Sequence, residues 1–167
     1  IINGQLLTGN LGAGGELGHM LLHNNGIPCT CGRLGCWERY ASLTALKNQC
    51  LTAIQKEETL LKNYVKDGEI FASDIVKCAD LNDAVAVKIL DNFIINLGEG
   101  LLNVCNIFRP EIIIIGGGIS YCGNVFLKRI ENYLNKFNYG YINTPKVKLT
   151  FAKLKNDAGI LGTTGLF

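Results

Sequence analysis

The sequence predicts an α/β domain with a parallel sheet, and three features of its C-terminal half lead to this prediction. The continuous apolar run Ile112–Ile115 is typical of a strand that is covered on both faces. A glycine turn follows it and leads into an amphipathic helix that ends near Phe137. Apolar and polar residues then alternate over 147–151, which indicates a half-buried strand. Strand, helix and strand in this order predict a parallel α/β unit.

The composition is that of a globular protein with one sizeable core. The chain has 167 residues, of which 48% are apolar and 18% are charged, and this matches an ordinary folded domain. A net charge of +2 gives no indication of a surface for nucleic acids or acidic substrates. The most apolar segment, 84–108, carries several polar and charged residues, so we expect a buried helix rather than a membrane span. No signal peptide is visible, and we expect a cytoplasmic protein.

The N-terminal segment is glycine-rich and is predicted to be strand-like up to about Gly18. Within Ile1–Leu7, an Asn-Gly pair predicts the turn of a β-hairpin. The sequence begins inside this hairpin and has no initiating Met. We therefore expect that the chain is a piece of a longer protein.

Helix signals occur at four further places. One helix is predicted to begin near Cys36, and a short one is predicted to begin at Ser73. A long helix capped by Asn82 is predicted to run to Phe108. A final helix of small residues is predicted from about Asn156 to the end of the chain.

The long helix is predicted to lie at the centre of the fold or at an interface, because it is apolar almost all round. Gly98 and Gly100 lie inside it, although glycine lowers helix stability. Their presence predicts that another element packs closely against the helix at these two positions.

One histidine and three cysteines have a spacing that predicts a metal site. Three thiolates and one imidazole suit tetrahedral Zn²⁺, and a site with four protein ligands is structural rather than catalytic. Gly32 and Gly35 allow the loop to fold back so that the sulfurs converge. The pattern is H-x9-C-x-C-x4-C, formed by His19, Cys29, Cys31 and Cys36.

The alternative is that three loop cysteines lie near each other without a metal. We disfavour it, because exposed and uncoordinated thiols are reactive. The odd number of cysteines, seven, also fits a reduced protein with a metal site better than a disulfide framework. His23 is the other histidine of the chain, and we interpret it as a surface side chain.

Two carboxylates flank the predicted metal ligands. Glu16 lies three residues before His19, and Glu38 lies two residues after Cys36. A metal that holds His19 and Cys36 together would bring both carboxylates to one cavity, where they can accept hydrogen bonds from sugar hydroxyls. His19 can bind metal through one ring nitrogen and donate from the other. The alternative is that Glu16 is solvated and Glu38 only complements a helix N-terminus.

These residues carry a resemblance to a known family. The segments Gly15–His19, Cys29–Glu38 and 41–42 resemble the signature of the ROK family, whose name stands for repressor, open reading frame, kinase. The segments Pro110–Ser120 and Asn156–Phe167 are also similar to later parts of that family. The resemblance therefore covers essentially the whole chain.

The resemblance implies an actin/hexokinase-like (ribonuclease H-like) ATPase fold of two α/β lobes, with sugar and ATP in the cleft between them. Residues 1–167 would form the C-terminal lobe, with a zinc-binding loop. The implied sugar-binding residues are Glu16, His19 and Glu38. The implied zinc ligands are His19, Cys29, Cys31 and Cys36. The implied nucleotide-binding residues are Gly116, Gly117 and Gly118, which without the resemblance are equally a simple tight turn.

Two functions follow from the resemblance. The first, which we favour, is a sugar kinase that uses ATP and Mg²⁺ to phosphorylate a hexose, with glucose 6-phosphate as the expected product. Its catalytic aspartate would lie in the N-terminal lobe, so we expect these residues alone to be inactive. The second is a sugar-responsive repressor with a helix-turn-helix that binds nucleic acid. A homodimer is expected for either. A third interpretation is a zinc-stabilised interaction domain without a ligand.

Overall fold

The long helix α4, Ala84–Phe108, is the element around which the rest of the protein is built. The structure is a computed structural model that describes residues 1–140, 143–157 and 161. The other helices are α1 (Glu38–Ala41), α2 (Leu43–Ala53), α3 (Ala72–Asp80) and α5 (Gly123–Phe137). The strands are β1 (Ile112–Ile115) and β2 (Lys148–Phe151). Short 3-10 helices are formed by Asn10–Gly12, Leu17–His19, Leu60–Tyr64, Gly118–Tyr121 and Lys155–Asp157.

The hydrophobic core surrounds α4, which packs against α1, α2, α3 and α5. The central position predicted for this helix is therefore confirmed. Its apolar side chains interlock with those of the neighbouring helices, and burial of this surface is the main force that stabilises the fold. The largest fully buried side chains among the described residues are those of Leu46, Leu61, Ile70, Ile75, Leu90, Phe93, Phe126 and Ile130.

The close packing predicted at the two helix glycines is confirmed. A Cβ atom at Gly98 would overlap the ring of Tyr133 on α5. A Cβ atom at Gly100 would overlap the indole of Trp37, which lies just before α1. Glycine lowers the helix propensity of α4 at these positions, but only glycine leaves room for the two aromatic rings.

The long helix begins with a different cap from the one predicted. Asp83, and not Asn82, is the N-cap, and its Oδ1 accepts the backbone N–H of Ala86 at 2.8 Å. Asn82 has a left-handed backbone with φ of 62°. Asp83 also accepts hydrogen bonds from the hydroxyl of Thr59 and the N–H of Leu60, both at 2.8 Å. These hydrogen bonds from the segment that contains Thr59 and Leu60 favour Asp83 over Asn82 as the cap.

Replacement of Asp83 by Ala is expected to lower the free energy of unfolding at neutral pH by about 1–2 kcal/mol, because it removes the helix cap. Burial raises the pKa of the Asp83 carboxyl, but hydrogen bonds from Ala86, Leu60 and Thr59 outweigh this effect and hold the pKa below its ordinary value. The stabilisation is therefore present above the pKa of the unfolded chain, about 3.9, and is lost as the pH falls through the lower folded pKa.

Urea unfolding of the wild type and the Asp83→Ala variant between pH 7 and pH 2 would measure this difference. Asp80→Ala is the matched control, because Asp80 is exposed and ends α3, where the helix dipole disfavours a carboxylate. The control should be as stable as the wild type or slightly more stable. An equal decrease in the free energy of unfolding in both variants would contradict the role of Asp83 as the helix cap. A decrease in Asp83→Ala that does not change with pH would also contradict it.

Two other helix boundaries differ from the predictions. The helix expected from near Cys36 is divided at Ser42, whose extended backbone ends α1. The Ser42 Oγ accepts the N–H of Ala45 at 3.1 Å and so caps α2. The predicted start at Ser73 is also wrong, because the cap residue of α3 is Phe71 and Ser73 lies inside the helix.

The parallel unit β1–α5–β2 is confirmed. Its two strands are paired in parallel, from Ile112 beside Lys148 to Ile115 beside Phe151. The prediction that β1 is covered on both faces is wrong for the described residues, because Ile112 and Ile114 are 42% and 60% exposed. Alternate side chains point to opposite faces of a strand, and the described part of the chain packs its core against only one of them.

The N-terminal hairpin turn is confirmed by an antiparallel bridge between Ile2 and Gln5, but the strand-like prediction for the rest of this segment is wrong. The bridge encloses Asn3 and Gly4 at φ of 50° and 77°. Residues 6–18 contain turns of 3-10 helix instead of strands, and Leu11 has a left-handed backbone that interrupts any extended run. Residues 1–16 are exposed throughout.

The predicted C-terminal helix from about Asn156 lies almost entirely outside the described residues. Within them, Lys155–Asp157 forms a single turn of 3-10 helix. Among the described helices, none combines the length and the apolar character that a membrane span requires.

Candidate metal centre and adjoining carboxylates

The predicted metal ligands lie on a loop that is folded back on itself by two short antiparallel bridges. One bridge pairs Leu21 with Cys36, and the other pairs Pro28 with Leu34. Backbone hydrogen bonds from Trp37 N to Met20 O, from Cys29 N to Arg33 O and from Gly35 N to Ile27 O measure 2.8, 2.8 and 2.9 Å. The segment 20–37 thus forms a closed loop, and its fold-back brings His19 close to the three cysteines.

Two glycines make this fold-back possible, as predicted. Gly32 and Gly35 have φ of 88° and 78°, a region that favours glycine. A Cβ atom at Gly35 would also overlap the carbonyl oxygen of His23. A side chain at this position would therefore force the loop away from the segment that contains His23.

The four predicted ligands converge on one point. One ligand atom from each of them lies within 4.8 Å of the others. The Sγ atom of Cys29 is 3.5 Å from Nδ1 of His19, and the Sγ atoms of Cys31 and Cys36 are 3.5 Å apart. Ligands at about 2.3 Å from a tetrahedral Zn²⁺ lie roughly 3.7 Å from one another. The donor set and its spacing therefore fit a zinc ion, and Nδ1 is the imidazole nitrogen that faces it.

The protonation of these thiols is consistent with a site that requires a cation. Burial, together with the smaller effect of the neighbouring thiols Cys31 and Cys29, raises the pKa of Cys36 to about 12. In contrast, the backbone N–H of Arg33 lowers the pKa of Cys31. Without a cation the cluster cannot hold three thiolates at neutral pH. A bound divalent metal would displace these protons and keep all three sulfurs charged.

Both predicted carboxylates lie beside the imidazole of His19. Glu38 Oε1 is 3.7 Å from Nδ1 and accepts the thiol of Cys29 at 3.1 Å. Glu16 Oε2 is 3.9 Å from Nε2, on the other edge of the ring. Their side chains are 40% and 75% exposed, so both can reach a ligand from solvent. Glu38 is also the first residue of α1, where the helix dipole favours a carboxylate.

The metal loop is attached to α4 through Asn96, a residue that the sequence analysis did not single out. The indole Nε1 of Trp37 donates to the Asn96 carbonyl at 2.9 Å. The ring of His23 contacts Asn96 Oδ1 at 2.7 Å, and it packs edge-on against Tyr40. His23 is exposed, as predicted, and it lies outside the metal cluster. No sequence signal connects residues 73 positions apart, so only the fold identifies this anchor.

The glycine turn follows β1 but does not lead directly into a long helix. Gly118–Tyr121 forms a 3-10 helix, and α5 begins only at Gly123. The hydroxyl of Ser120 donates to the carbonyl of Gly117 at 2.6 Å and closes the turn. Gly117 has φ of 73° and open space where a Cβ atom would lie. A ligand can therefore approach the backbone closely here, whereas a Cβ at Gly118 would meet Leu43.

Comparisons with known proteins agree with this architecture. A glucokinase from Halalkalibacterium halodurans is 34% identical over 165 residues, which are 97% of this chain and 50% of that protein. A xylose repressor from Bacillus spizizenii is 34% identical over 167 residues, which are 99% of this chain and 40% of that protein. The chain thus spans about half the length of the curated relatives it matches.

The solved structures point to the same family. The crystal structure of a ROK family glucokinase from Streptomyces griseus, in complex with glucose and AMPPNP, matches with a TM-score of 0.87 and 30% identity. The match covers 99% of this chain and 55% of that one. This neighbour supports the predicted actin/hexokinase-like fold. The family profile described as ROK family matches residues 1–167, and the chain therefore belongs to the ROK family.

Proposed function

We propose that the intact protein is a sugar kinase of the glucokinase type, which transfers phosphate from ATP to a hexose, and that residues 1–167 are its C-terminal lobe. The observation that carries this proposal is the position of Glu16 and Glu38 on two edges of the His19 imidazole. Similarity to glucokinases and to a glucokinase structure with glucose and AMPPNP supports the choice of substrates.

His19 and the two carboxylates beside it have complementary roles toward a sugar. The carboxylates of Glu16 and Glu38 accept hydrogen bonds from adjacent hydroxyls, and charged acceptors make strong hydrogen bonds. The Nε2 edge of His19 is the one that faces away from Cys29, so it can donate to a third oxygen. Bound Zn²⁺ would hold His19, Cys29, Cys31 and Cys36 and thereby fix the imidazole and α1 relative to each other.

The proposed nucleotide contacts are Gly116, Gly117 and Gly118. The open space above Gly117 supports close approach of ATP to the backbone of this turn. Catalysis of phosphoryl transfer consists mainly of positioning and charge stabilisation, with Mg²⁺ on the phosphates. We place the catalytic aspartate in the part of the protein outside residues 1–167, where closure of two lobes would bring it to the sugar hydroxyl.

Glucose binding and phosphorylation by the intact protein test this proposal. In the Glu38→Gln variant we expect glucose affinity to fall about 10- to 100-fold, because a hydrogen bond to a charged group contributes about 1.5–3 kcal/mol. The zinc content should stay unchanged, since Glu38 is not a metal ligand in this assignment. Calorimetric titration and formation of glucose 6-phosphate would be measured. The matched control is Glu131→Gln, because Glu131 is a partly exposed carboxylate of α5 that pairs only with Lys128 among the described residues.

A wild-type affinity for glucose that does not change in Glu38→Gln would remove Glu38 from the sugar site. If the zinc-loaded protein binds none of glucose, N-acetylglucosamine and N-acetylmannosamine, the domain is better explained as a zinc-stabilised interaction domain. Both results are distinct from simple loss of fold, which the thermal midpoint of unfolding would report.

The second candidate is a sugar-responsive repressor, which the similarity to the Bacillus spizizenii xylose repressor over 99% of this chain favours. The sugar site would be the same, and DNA would bind to a helix-turn-helix elsewhere in the protein. The sequence upstream of Ile1 distinguishes the two candidates: a phosphate loop indicates a kinase, whereas a basic helical domain indicates a repressor. For both we propose a homodimer, supported by exposed Ile95 and Ile107 on α4 and measurable by light scattering.

A further inference from the structure

A cavity lies against α2 and α4, and its lining does not include the residues of the candidate sugar site. Its volume is about 920 Å³, which is within the usual range of small-molecule sites. Arg39 and Tyr40 line it, whereas Glu16, His19 and Glu38 do not. Nothing in the proposed sugar kinase mechanism uses this cavity.

The cavity contains a guanidinium that has no partner among the described residues. The Nε atom of Arg39 is enclosed and makes no hydrogen bond with any described residue. Arg39 and Lys56, a second cation of the lining, form no ion pair within the part of the chain that the structure describes. Glu57 is the single acid among the lining residues and it pairs with neither cation. The two Nη atoms of Arg39 are not enclosed, and they make no hydrogen bond with a described residue, so they are the donors that an anion in the cavity can reach.

The rest of the lining is rich in amides and hydroxyls. Amide side chains both donate and accept hydrogen bonds, which suits a ligand that carries several hydroxyl groups. The amides of Asn48, Gln49 and Asn92 make no side-chain hydrogen bonds with other described residues, so they are free to bind. Ile27 and Ile95 add an apolar portion to the wall.

We propose that this cavity binds a phosphomonoester of a small polyhydroxylated molecule, the class to which sugar phosphates belong. Arg39 and Lys56 would bind the phosphate, since a guanidinium donates two parallel hydrogen bonds to phosphate oxygens. The free amides would bind the hydroxyls. Asn96 also lines the cavity. Its backbone carbonyl accepts a hydrogen bond from the indole N–H of Trp37, the residue before Glu38. The ligand thus contacts the residue that anchors the candidate sugar site.

The test is calorimetric titration of the intact, zinc-loaded protein with glucose 6-phosphate, at a glucose concentration that saturates any glucose site. We expect one equivalent to bind. Arg39→Gln and Lys56→Gln should each weaken this binding about 10- to 100-fold, as expected for hydrogen bonds between charged groups. The matched control is Lys128→Gln, because Lys128 is an exposed lysine of α5 that does not line the cavity, and it should leave this binding unchanged.

The proposed phosphomonoester site does not depend on the proposed sugar kinase function, and different variants test each of them. Glu38→Gln should weaken glucose binding but not glucose 6-phosphate binding in the cavity. Binding that glucose abolishes, or that survives both Arg39→Gln and Lys56→Gln at wild-type affinity, would overturn the proposal. Equal affinity for inorganic phosphate would show an anion site without recognition of hydroxyls and would also overturn it. The proposal would also be overturned if Arg39→Gln and Lys56→Gln changed the dissociation constant of the dimer but not the affinity for glucose 6-phosphate. The cavity would then be an interface between two copies of the chain.

Discussion

Replacement of Cys36 by Ser is expected to abolish stoichiometric zinc binding and to reduce glucose affinity at least about tenfold. Cys36 is fully buried, its Sγ lies 3.5 Å from that of Cys31, and its backbone is bridged to Leu21. Loss of a residue that only hydrogen-bonds to a metal ligand already costs about 10- to 100-fold in metal affinity. Loss of a ligand itself should cost more, and Glu38, two residues away, would lose its fixed position beside His19.

Metal analysis of the intact protein and titration with glucose would measure both effects. Cys122→Ala is the matched control, because Cys122 is buried but lies outside the metal cluster, and it should retain one zinc per chain. Chelation of zinc from the wild type should reproduce the loss of glucose affinity, and added zinc should restore it. A Cys36→Ser variant that keeps its zinc, or a zinc-free wild type with full affinity for glucose, would contradict the coupling of metal and sugar sites.

Replacement of Gly100 by Ala is expected to destabilise the protein by about 1–3 kcal/mol, although the same change in an ordinary helix stabilises it by about 1 kcal/mol. The reason is steric, because the added Cβ would overlap the indole of Trp37. The ring cannot move without breaking its hydrogen bond to the Asn96 carbonyl. Displacement of Trp37 would also displace Glu38, so glucose affinity should fall together with stability.

Urea unfolding of the variants would measure this effect. Asn103→Ala is the matched control, because Asn103 lies on the exposed side of the same helix and should gain a few tenths of a kcal/mol from helix propensity. In a Trp37→Ala background, the Gly100→Ala change should become neutral or stabilising, which a double-mutant cycle would show as a coupling of roughly 1–3 kcal/mol. Destabilisation by Gly100→Ala that persists without the indole would refute the assigned contact.

The elements that the sequence predicted well depend on residues close together in the chain. The β1–α5–β2 unit follows from periodicities of two and 3.6 residues, and the turn at Asn3 and Gly4 follows from a dipeptide with a strong conformational preference. The error at the start of α4 occurred because a long-range contact selected between two similar residues. Asn82 and Asp83 are both good caps, and the segment that contains Thr59 and Leu60 decided in favour of Asp83.

The sequence alone determined the chemistry of the candidate metal centre, because His19, Cys29, Cys31 and Cys36 are identified by side-chain type and a short spacing. The structure places their ligand atoms within 4.8 Å of one another. Tertiary structure decided three other features: the anchor at Asn96, the absence of a described partner for the Arg39 guanidinium, and the face of β1 that the described residues leave uncovered. Each depends on which distant elements pack together, and packing is set by the summed burial of the whole core rather than by any local pattern.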